Sequence, residues 1–374
     1  MFQSVSAQSE AGAIFLLISP GARPGGMGET HAAVTDDAYA SYWNPAGLGF
    51  LQGSEIALMH VNWLPGLASD IYYEFLAGRR YFPNLGTIGG HIIYLNLGEQ
   101  TWTDEQGNVK GTFRSFMSAM AGSYSTMLSE NSAFGLNLKL IHIKLADSNI
   151  SVGAEKGNPW TTSFLFDVGY MKKELWNGHF DYGVVVQNVG PKIGFIDMQQ
   201  ADPAPTNLKI GFNMHLLNSR YNKLSFAYDV NKMLVASYPD RDLNGDGDTY
   251  DENEPAHSDP WYVGMFTSWF DDWFLLHDSK ADGIGSDDED GNLEDGSLQK
   301  EIDKLIHNIG VEYWYNDMFA IRTGLIYDKV GKITAPTFGM GLRFFGYGFD
   351  FGYTSGPQGH PLTNTMRFSL NVEF

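Results

Sequence analysis

Apolar and polar residues alternate strictly along most of this chain, in segments about ten residues long. In the last ten residues, TMRFSLNVEF, every second position from Met366 to Phe374 is apolar. Side chains of an extended strand point alternately to its two faces, so each segment has one apolar and one polar face. The chain is therefore predicted to be all-β. We place fourteen strands near residues 54–63, 70–81, 86–94, 115–127, 132–146, 161–172, 180–187, 206–215, 223–232, 307–315, 319–328, 336–344, 347–354 and 364–374.

Two architectures fit this alternation, a soluble β-sandwich and a transmembrane β-barrel. Ten residues is about the length of a tilted strand that crosses a bilayer. The polar faces also carry charged residues, such as Lys139, Asp167 and Arg343. A soluble core would have to pair every one of these charges, whereas a wet or plugged lumen accommodates them. The sequence therefore favours a 14-stranded antiparallel transmembrane β-barrel, integral to a bacterial outer membrane.

The connections between the predicted strands and the first fifty residues define the domain organisation. Short connections alternate with long ones at residues 95–114, 147–160 and 233–306, as in barrels with periplasmic turns and extracellular loops. Residues 9–50 do not alternate and are rich in Gly, so they are predicted to form an amino-terminal plug in the lumen. Residues 1–8 are interpreted as the remnant of an export signal or a tag. Residues 51–374 form the barrel, with residues 233–306 as an acidic extracellular insert.

Most of the net charge of −20 comes from one part of that insert. Residues 240–295 contain 18 Asp or Glu and two basic residues, Arg241 and Lys280. The rest of the chain is nearly neutral, so a nucleic acid is not expected as a partner. The chain has no Cys, which excludes disulfides and thiolate chemistry.

The stretch DRDLNGDGDTYD within this segment has the spacing of a calcium-binding loop. Calcium prefers six to eight hard oxygen ligands on a loop bent at a Gly, which here is Gly245. Position 12 is an Asp instead of the longer Glu, a second register starting at Asp242 fits in part, and a solvated acidic loop is the alternative. The predicted ligands of a structural Ca²⁺ are Asp240, Asp242, Asn244, Asp246, Asp248 and Asp251.

An aromatic stripe follows the calcium motif in SDPWYVGMFTSWFDDWF. Trp261, Met265, Trp269 and Trp273 are spaced by four residues, which places them on one face of a helix. This face can pack on the barrel rim or dock a partner protein, and we predict these four residues as candidate partner-binding residues.

Catalytic motifs are lacking. No G-x-S-x-G elbow, H-E-x-x-H pair or phosphate loop occurs in the sequence, so the protein is not expected to be an enzyme. The GGMG stretch at residues 25–28 is better explained as a turn of the plug. Arg23, beside it, is predicted to pair with carboxylates of the lumen.

Four separated stretches of the chain are similar to one known family. FLLISPGARPGGMGETHAAVTDDAYASYWNPAGLGF, residues 15–50, resembles the amino-terminal signature of the PorV family of type IX secretion system outer-membrane proteins, in the group of FadL-like barrels. QNVGPKI, GVEYWYNDMFAIRTG and HPLTNTMRFSL resemble later parts of the family in the same order. The resemblance implies a fourteen-stranded barrel with an amino-terminal plug. The acidic insert departs from the family pattern.

The resemblance also implies a function. A PorV-like protein binds the C-terminal domain of secreted cargo at the translocon barrel and shuttles the cargo to a cell-surface attachment complex that contains a sortase-like protein. The alternative is a FadL-like channel for hydrophobic small molecules, which requires an apolar pocket beneath the loops and a kinked plug. A lipid-modifying enzyme is a weaker alternative, because we find no nucleophile.

Overall fold

The computed structural model describes residues 11–66, 68–104, 106–147, 159–195, 201–238, 257–269, 298–356 and 364–374. Fourteen strands form one closed barrel, and each pairs antiparallel with its neighbours. The predicted fold is therefore confirmed. The barrel strands are β1 (Ser54–Asn62), β2 (Tyr72–Phe82), β3 (Gly86–Thr103), β4 (Val109–Ser129), β5 (Ser132–Lys144), β6 (Trp160–Glu174), β7 (Phe180–Val189), β8 (Asn207–Asn218), β9 (Asn222–Met233), β12 (Ile306–Tyr315), β13 (Phe319–Asp328), β14 (Ile333–Phe344), β15 (Tyr347–Thr354) and β16 (Thr365–Glu373), while β10 (Ser237–Tyr238) pairs with β11 (His257–Ser258) outside the barrel.

Short helical segments accompany the strands. In the described residues, no helix is long and apolar enough to cross a membrane. The helical segments are Ile14–Leu17, Ala22–Gly26, Ala40–Trp43 and Pro45–Phe50 in the amino-terminal region, and Leu175–Gly178, Trp261–Thr267 and Leu298–Asp303 elsewhere.

The strand faces agree with the predicted alternation. Leu138 and Phe164 point outward and are 74% and 71% exposed, whereas the intervening Lys139 and Asp167 point into the lumen and are buried. The apolar outer face matches a lipid environment and the polar inner face a plugged lumen. The terminal strand β16 closes the barrel on β1, with Leu370 opposite Leu58.

One connection differs from the prediction. Residues 95–114 were expected to form a long loop, but β3 continues to Thr103 and pairs with β4 from Val109 onward, with a register shift after Asn96. The hairpin extends past the alternating part of both strands, so its polar residues give no apolar face by which to recognise it. At its tip Asp104 accepts hydrogen bonds from Asn108 and pairs with Lys110 at 2.9 Å. These donors, Lys110 first, hold the pKa of Asp104 below its usual value.

Candidate functional site

The plug, residues 11–50, runs through the lumen from one end of the barrel to the other. Near the long-loop end, the backbone N–H of Gly12 donates to the carbonyl of Pro203 at 2.9 Å. Near the short-turn end, Arg79 of β2 donates to the carbonyl of Gln52 at 2.6 Å. Because nearly all residues between these points are buried, the plug prediction is confirmed.

Ion pairs attach the plug to strands β12 to β15. Arg23 donates to both oxygens of Glu312 at 2.8 Å each and also pairs with Asp36. Glu312 in turn accepts from Arg322 at 2.6 Å, and Arg322 pairs with Asp350 at 2.7 Å. Positive and negative groups therefore alternate from the plug into the wall, as buried charges require. The predicted pairing of Arg23 with lumen carboxylates is confirmed.

Glycines let the plug backbone touch the wall on this side. Gly28 has a φ of +65°, and a Cβ added there would lie 2.4 Å from the carbonyl oxygen of Ile309. A Cβ on Gly26 would lie 2.8 Å from the Cα of Gly339. Only a residue without a side chain fits either position. The GGMG stretch closes the helix Ala22–Gly26 and continues into a turn at Met27 and Gly28, so the predicted plug turn covers its second half.

Polar side chains of the wall also bind the plug backbone. Asp229 of β9 accepts from the backbone N–H groups of His31 and Ala32 at 2.8 and 2.9 Å. Asn308 of β12 donates to the carbonyl of Gly28 at 2.5 Å. These bonds satisfy backbone groups of the plug that lie away from water.

The opposite side of the lumen, formed by β1 to β6, is apolar toward the long-loop end. Tyr39 of the plug stacks on Phe75 of β2, with ring centroids 5.2 Å apart. Phe15 and Leu16 fill the space beneath the loops and are almost completely buried. The wall residues of this cluster include Met59, Val61, Tyr73, Ile93, Leu95, Ile141, Ile143 and Leu165.

Strand β7 is kinked where these two kinds of lining meet. Asn188 has a φ of 59°, and its backbone N–H donates to Asp167 at 2.7 Å. Lys139 binds both the side chain of Asn188, at 2.7 Å, and Asp167, at 2.9 Å. The pairing of β7 with β6 is irregular at this kink, because the register shifts between Val186, opposite Val168, and Val189, opposite Phe166.

A polar vestibule of about 1170 Å³ lies between the plug and the short-turn end of the barrel. Its lining includes carboxylates, among them Asp36, Glu174 and Glu373, and the basic residues Arg79 and Lys173. Short turns are periplasmic in outer-membrane barrels. The vestibule therefore opens toward the periplasm, and the plug closes its inner end.

The predicted binding residues are only partly described. All six predicted Ca²⁺ ligands, from Asp240 to Asp251, and Trp273 lie outside the described residues. Within the described ranges, no group of three or more His, Asp or Glu could hold a metal ion. Trp261 packs on Phe166, with ring centroids 5.9 Å apart. Lys232 lies over the ring of Trp269 at 5.1 Å, and Met265 is partly buried.

The sequence did not single out Glu312, Arg322 and Asp350 as partners of the plug. Each occupies a polar position of an alternating strand, which is the one signal that the sequence offers. Which lumen carboxylate meets Arg23 depends on the barrel register, and alternation fixes a face but not a register.

Comparisons with known proteins agree with this geometry. The family "Type IX secretion system protein PorV" matches residues 5–240. The structure is similar to the toluene transporter TbuX of Ralstonia pickettii, with 13% identity and a TM-score of 0.53 over 96% of this chain and 100% of that one. The structure is also similar to the TodX monoaromatic hydrocarbon channel deltaS2 mutant, with 11% identity and a TM-score of 0.52 over 94% of this chain and 97% of that one. No curated protein sequence matches the chain. At such identities the structural likeness shows the fold alone.

Proposed function

This chain belongs to the PorV family of type IX secretion system proteins, and on that premise we propose that it binds the C-terminal domain of secreted cargo and carries it from the translocon to the cell surface. It is an integral outer-membrane protein with a plugged FadL-like barrel. In this proposal its partners are the type IX translocon barrel, cargo with C-terminal secretion domains, a sortase-like attachment protein and the lipid of the outer membrane.

The observation that best supports a carrier is the filling of the lumen. Phe15 and Leu16 occupy the apolar space beneath the loops, and the pairs from Arg23 to Glu312 and Asp36 fix the plug below them. A carrier of folded proteins needs no path through the barrel, so it can keep such a plug in place. Cargo would then be held at the long-loop end.

Cargo capture by the purified protein tests this proposal. The full chain, reconstituted in lipid nanodiscs, is expected to bind a secreted protein that carries its C-terminal secretion domain. The matched control is the same cargo without that domain, which should not bind. Equal retention of both cargo forms, or of neither, would refute the carrier role.

A FadL-like channel for hydrophobic small molecules is the second candidate. The kink of β7 at Asn188 and the apolar lining around Phe75 favour it. Uptake of a monoaromatic hydrocarbon into proteoliposomes separates the two functions. A carrier gives no uptake above empty vesicles, whereas a channel gives uptake that Phe15→Ala increases by removing the side chain beneath the loops.

We also propose that the acidic insert binds a structural Ca²⁺ through Asp240, Asp242, Asn244, Asp246, Asp248 and Asp251. Crowded carboxylates repel one another, and a divalent cation relieves that repulsion. Calorimetric titration with Ca²⁺ should show binding with a Kd on the order of 10⁻⁴ to 10⁻³ M, typical of extracellular sites. Asp242→Ala with Asp248→Ala should abolish it. If the unmodified protein gives the same titration heats as this double variant, the proposed site is ruled out.

A further inference from the structure

The hairpin formed by the ends of β3 and β4 has an edge without a neighbouring strand. β2 pairs with β3 only as far as Asn96, whereas the pairing of β3 with β4 continues to Thr103. Among the described residues, no other backbone segment bonds to residues 99–103 on the β2 side. At about 3.3 Å per residue, these five residues form an edge about 16 Å long, which we call the β3 edge.

The side chain of Asp70 shows which way the backbone of the β3 edge points. Its carboxylate accepts from the backbone N–H of Glu99 at 2.8 Å, on the side where β2 ends. In an antiparallel strand the N–H and C=O of one residue point to the same side, and this side alternates along the chain. Those of Thr101 and Thr103 therefore point away from β4, as the N–H of Glu99 does. The N–H of Asp104 donates across the hairpin instead, as the alternation requires.

The β3 edge lies in water and is not guarded by charge. An open sheet edge is too costly in the hydrocarbon region, where water cannot satisfy its backbone groups. In water, proteins commonly protect such an edge with charged side chains or Pro. Here the charges of the hairpin are paired within it, Glu99 with Arg114 at 3.8 Å and Lys110 with Asp104 at 2.9 Å, and residues 99–103 contain no Pro. The edge is therefore accessible to another strand.

The side chains along the β3 edge indicate what kind of strand fits it. Trp102 lies opposite Gly111 and diagonal to Phe113, so the two rings share one face of the hairpin, and both are partly buried. A β-branched or aromatic residue beside Trp102, on an added strand, would extend this apolar face. The opposite face carries the exposed Thr101 and Thr103, which suit polar neighbours. The fitting partner is an extended segment in which apolar and polar residues alternate.

We propose that an extended strand of the secreted cargo adds to the β3 edge and pairs its backbone with Thr101 and Thr103. Backbone donors and acceptors that repeat at every second residue are complementary to those of another strand, which is the argument for an extended polypeptide. The edge lies at the long-loop end, where the carrier function places cargo, and the inference rests on that proposed function. The competing occupant is the same edge of a second copy of this chain.

Two proline variants of the full chain in lipid nanodiscs test the inference, with binding of the complete cargo as the readout. Thr101→Pro removes an N–H that faces away from the hairpin, so it blocks an added strand and leaves the pairing of β3 with β4 intact. Thr112→Pro is the matched control, because Thr112 lies opposite Thr101 and its N–H points toward the other edge of the hairpin. Thr101→Pro should weaken cargo binding about tenfold, and Thr112→Pro should leave it within about twofold of the unmodified protein.

Residue-resolved amide hydrogen exchange tests the pairing directly. Cargo binding should slow exchange at Thr101 and Thr103, whereas Gln100 and Trp102, which face β4, should exchange slowly with or without cargo. Slow exchange at Thr101 and Thr103 without cargo, increasing with protein concentration, would show that a second copy occupies the edge and would overturn the proposal.

The outcomes distinguish this inference from the carrier function. If Thr101→Pro binds cargo as well as the unmodified protein does, or if both proline variants lose binding equally, strand addition at the β3 edge is wrong and the carrier function stands. If the unmodified protein binds no cargo, the carrier function fails and the inference fails with it.

Discussion

The two sides of the lumen hold the plug by different means. On the side of β1 to β6, rings and aliphatic side chains such as Phe15, Tyr39 and Phe75 pack together. On the side of β12 to β16, charged groups such as Arg23, Glu312 and Arg322 alternate. Apolar burial is favourable but non-directional, whereas a buried ion pair gains little net free energy and has strict geometry. We infer that the apolar side stabilises the plug and the charged side fixes its position.

The largest effect is expected on the apolar side. Phe15→Ala removes a buried ring and should cost about 3–5 kcal/mol in the free energy of unfolding. Denaturant unfolding in lipid vesicles measures this cost. The control is Phe338→Ala, whose ring lies on the outer face, and it should be milder. Equal losses in the free energy of unfolding for Phe15→Ala and Phe338→Ala would contradict the stabilising role of the apolar side of the lumen.

The next effect tests the charged side. Glu312→Leu leaves Arg23 and Arg322 with one carboxylate partner fewer, and we expect a loss of about 3 kcal/mol. Adding Arg23→Met should restore most of it, because Arg322 keeps Asp350 and the Asp36 carboxylate that loses Arg23 is half exposed to water. A double-mutant cycle measures the coupling. If the second change only adds to the loss, the network contributes net stability and our division of roles is wrong.

A smaller effect is expected where the plug touches the wall. Gly28→Ala places a Cβ against the backbone at Ile309 and Leu325, so the plug must shift, at a cost of about 1–3 kcal/mol. Amide hydrogen exchange at His31 and Ala32, which bind Asp229, should speed up. Gly122→Ala is the control, since nothing lies near its Cβ. If amide hydrogen exchange is unchanged in the Gly28→Ala variant, the contact between plug and wall tolerates an added Cβ and our expectation is wrong.

The smallest effect separates buried from exposed ion pairs. Lys223 pairs with Asp317 at 2.7 Å, but both side chains are about half exposed. Lys223→Ala should cost about 0–1 kcal/mol, and less at high salt. Unfolding at low and high ionic strength measures this. A salt-independent cost as large as that of Glu312→Leu would mean that burial does not distinguish the two classes of pair.

The sequence predicted the barrel well because alternation is a local signal that every strand repeats. It also predicted the plug and the pairing of Arg23. It missed the extended hairpin at residues 95–114, where the strands leave the membrane and need no apolar face. The kink at Asn188 was also not predicted, although Asn tolerates a positive φ better than most residues.

The filling of the lumen could not be predicted from the sequence, because it results from tertiary packing. Phe15 and Leu16 read as part of a short apolar run, and only the structure shows them filling the space beneath the loops. Glu312, which pairs with Arg23, is 289 residues away from it in the sequence, so no local pattern identifies this partner. The predicted Ca²⁺ ligands lie outside the described residues and stay a prediction.

The contacts between the plug and the closing strand bear on how the barrel is assembled. Arg367 of β16 reaches Glu29 at 3.2 Å, and Ser369 accepts from the backbone N–H of Ala22 at 2.8 Å. The seam between β16 and β1 is seven residue pairs long, and residues 11–50 lie behind it. A plug bound to β16 before the seam closes would hold this strand in register with β1. It would thereby lower the entropic cost of joining two strands that are more than 300 residues apart.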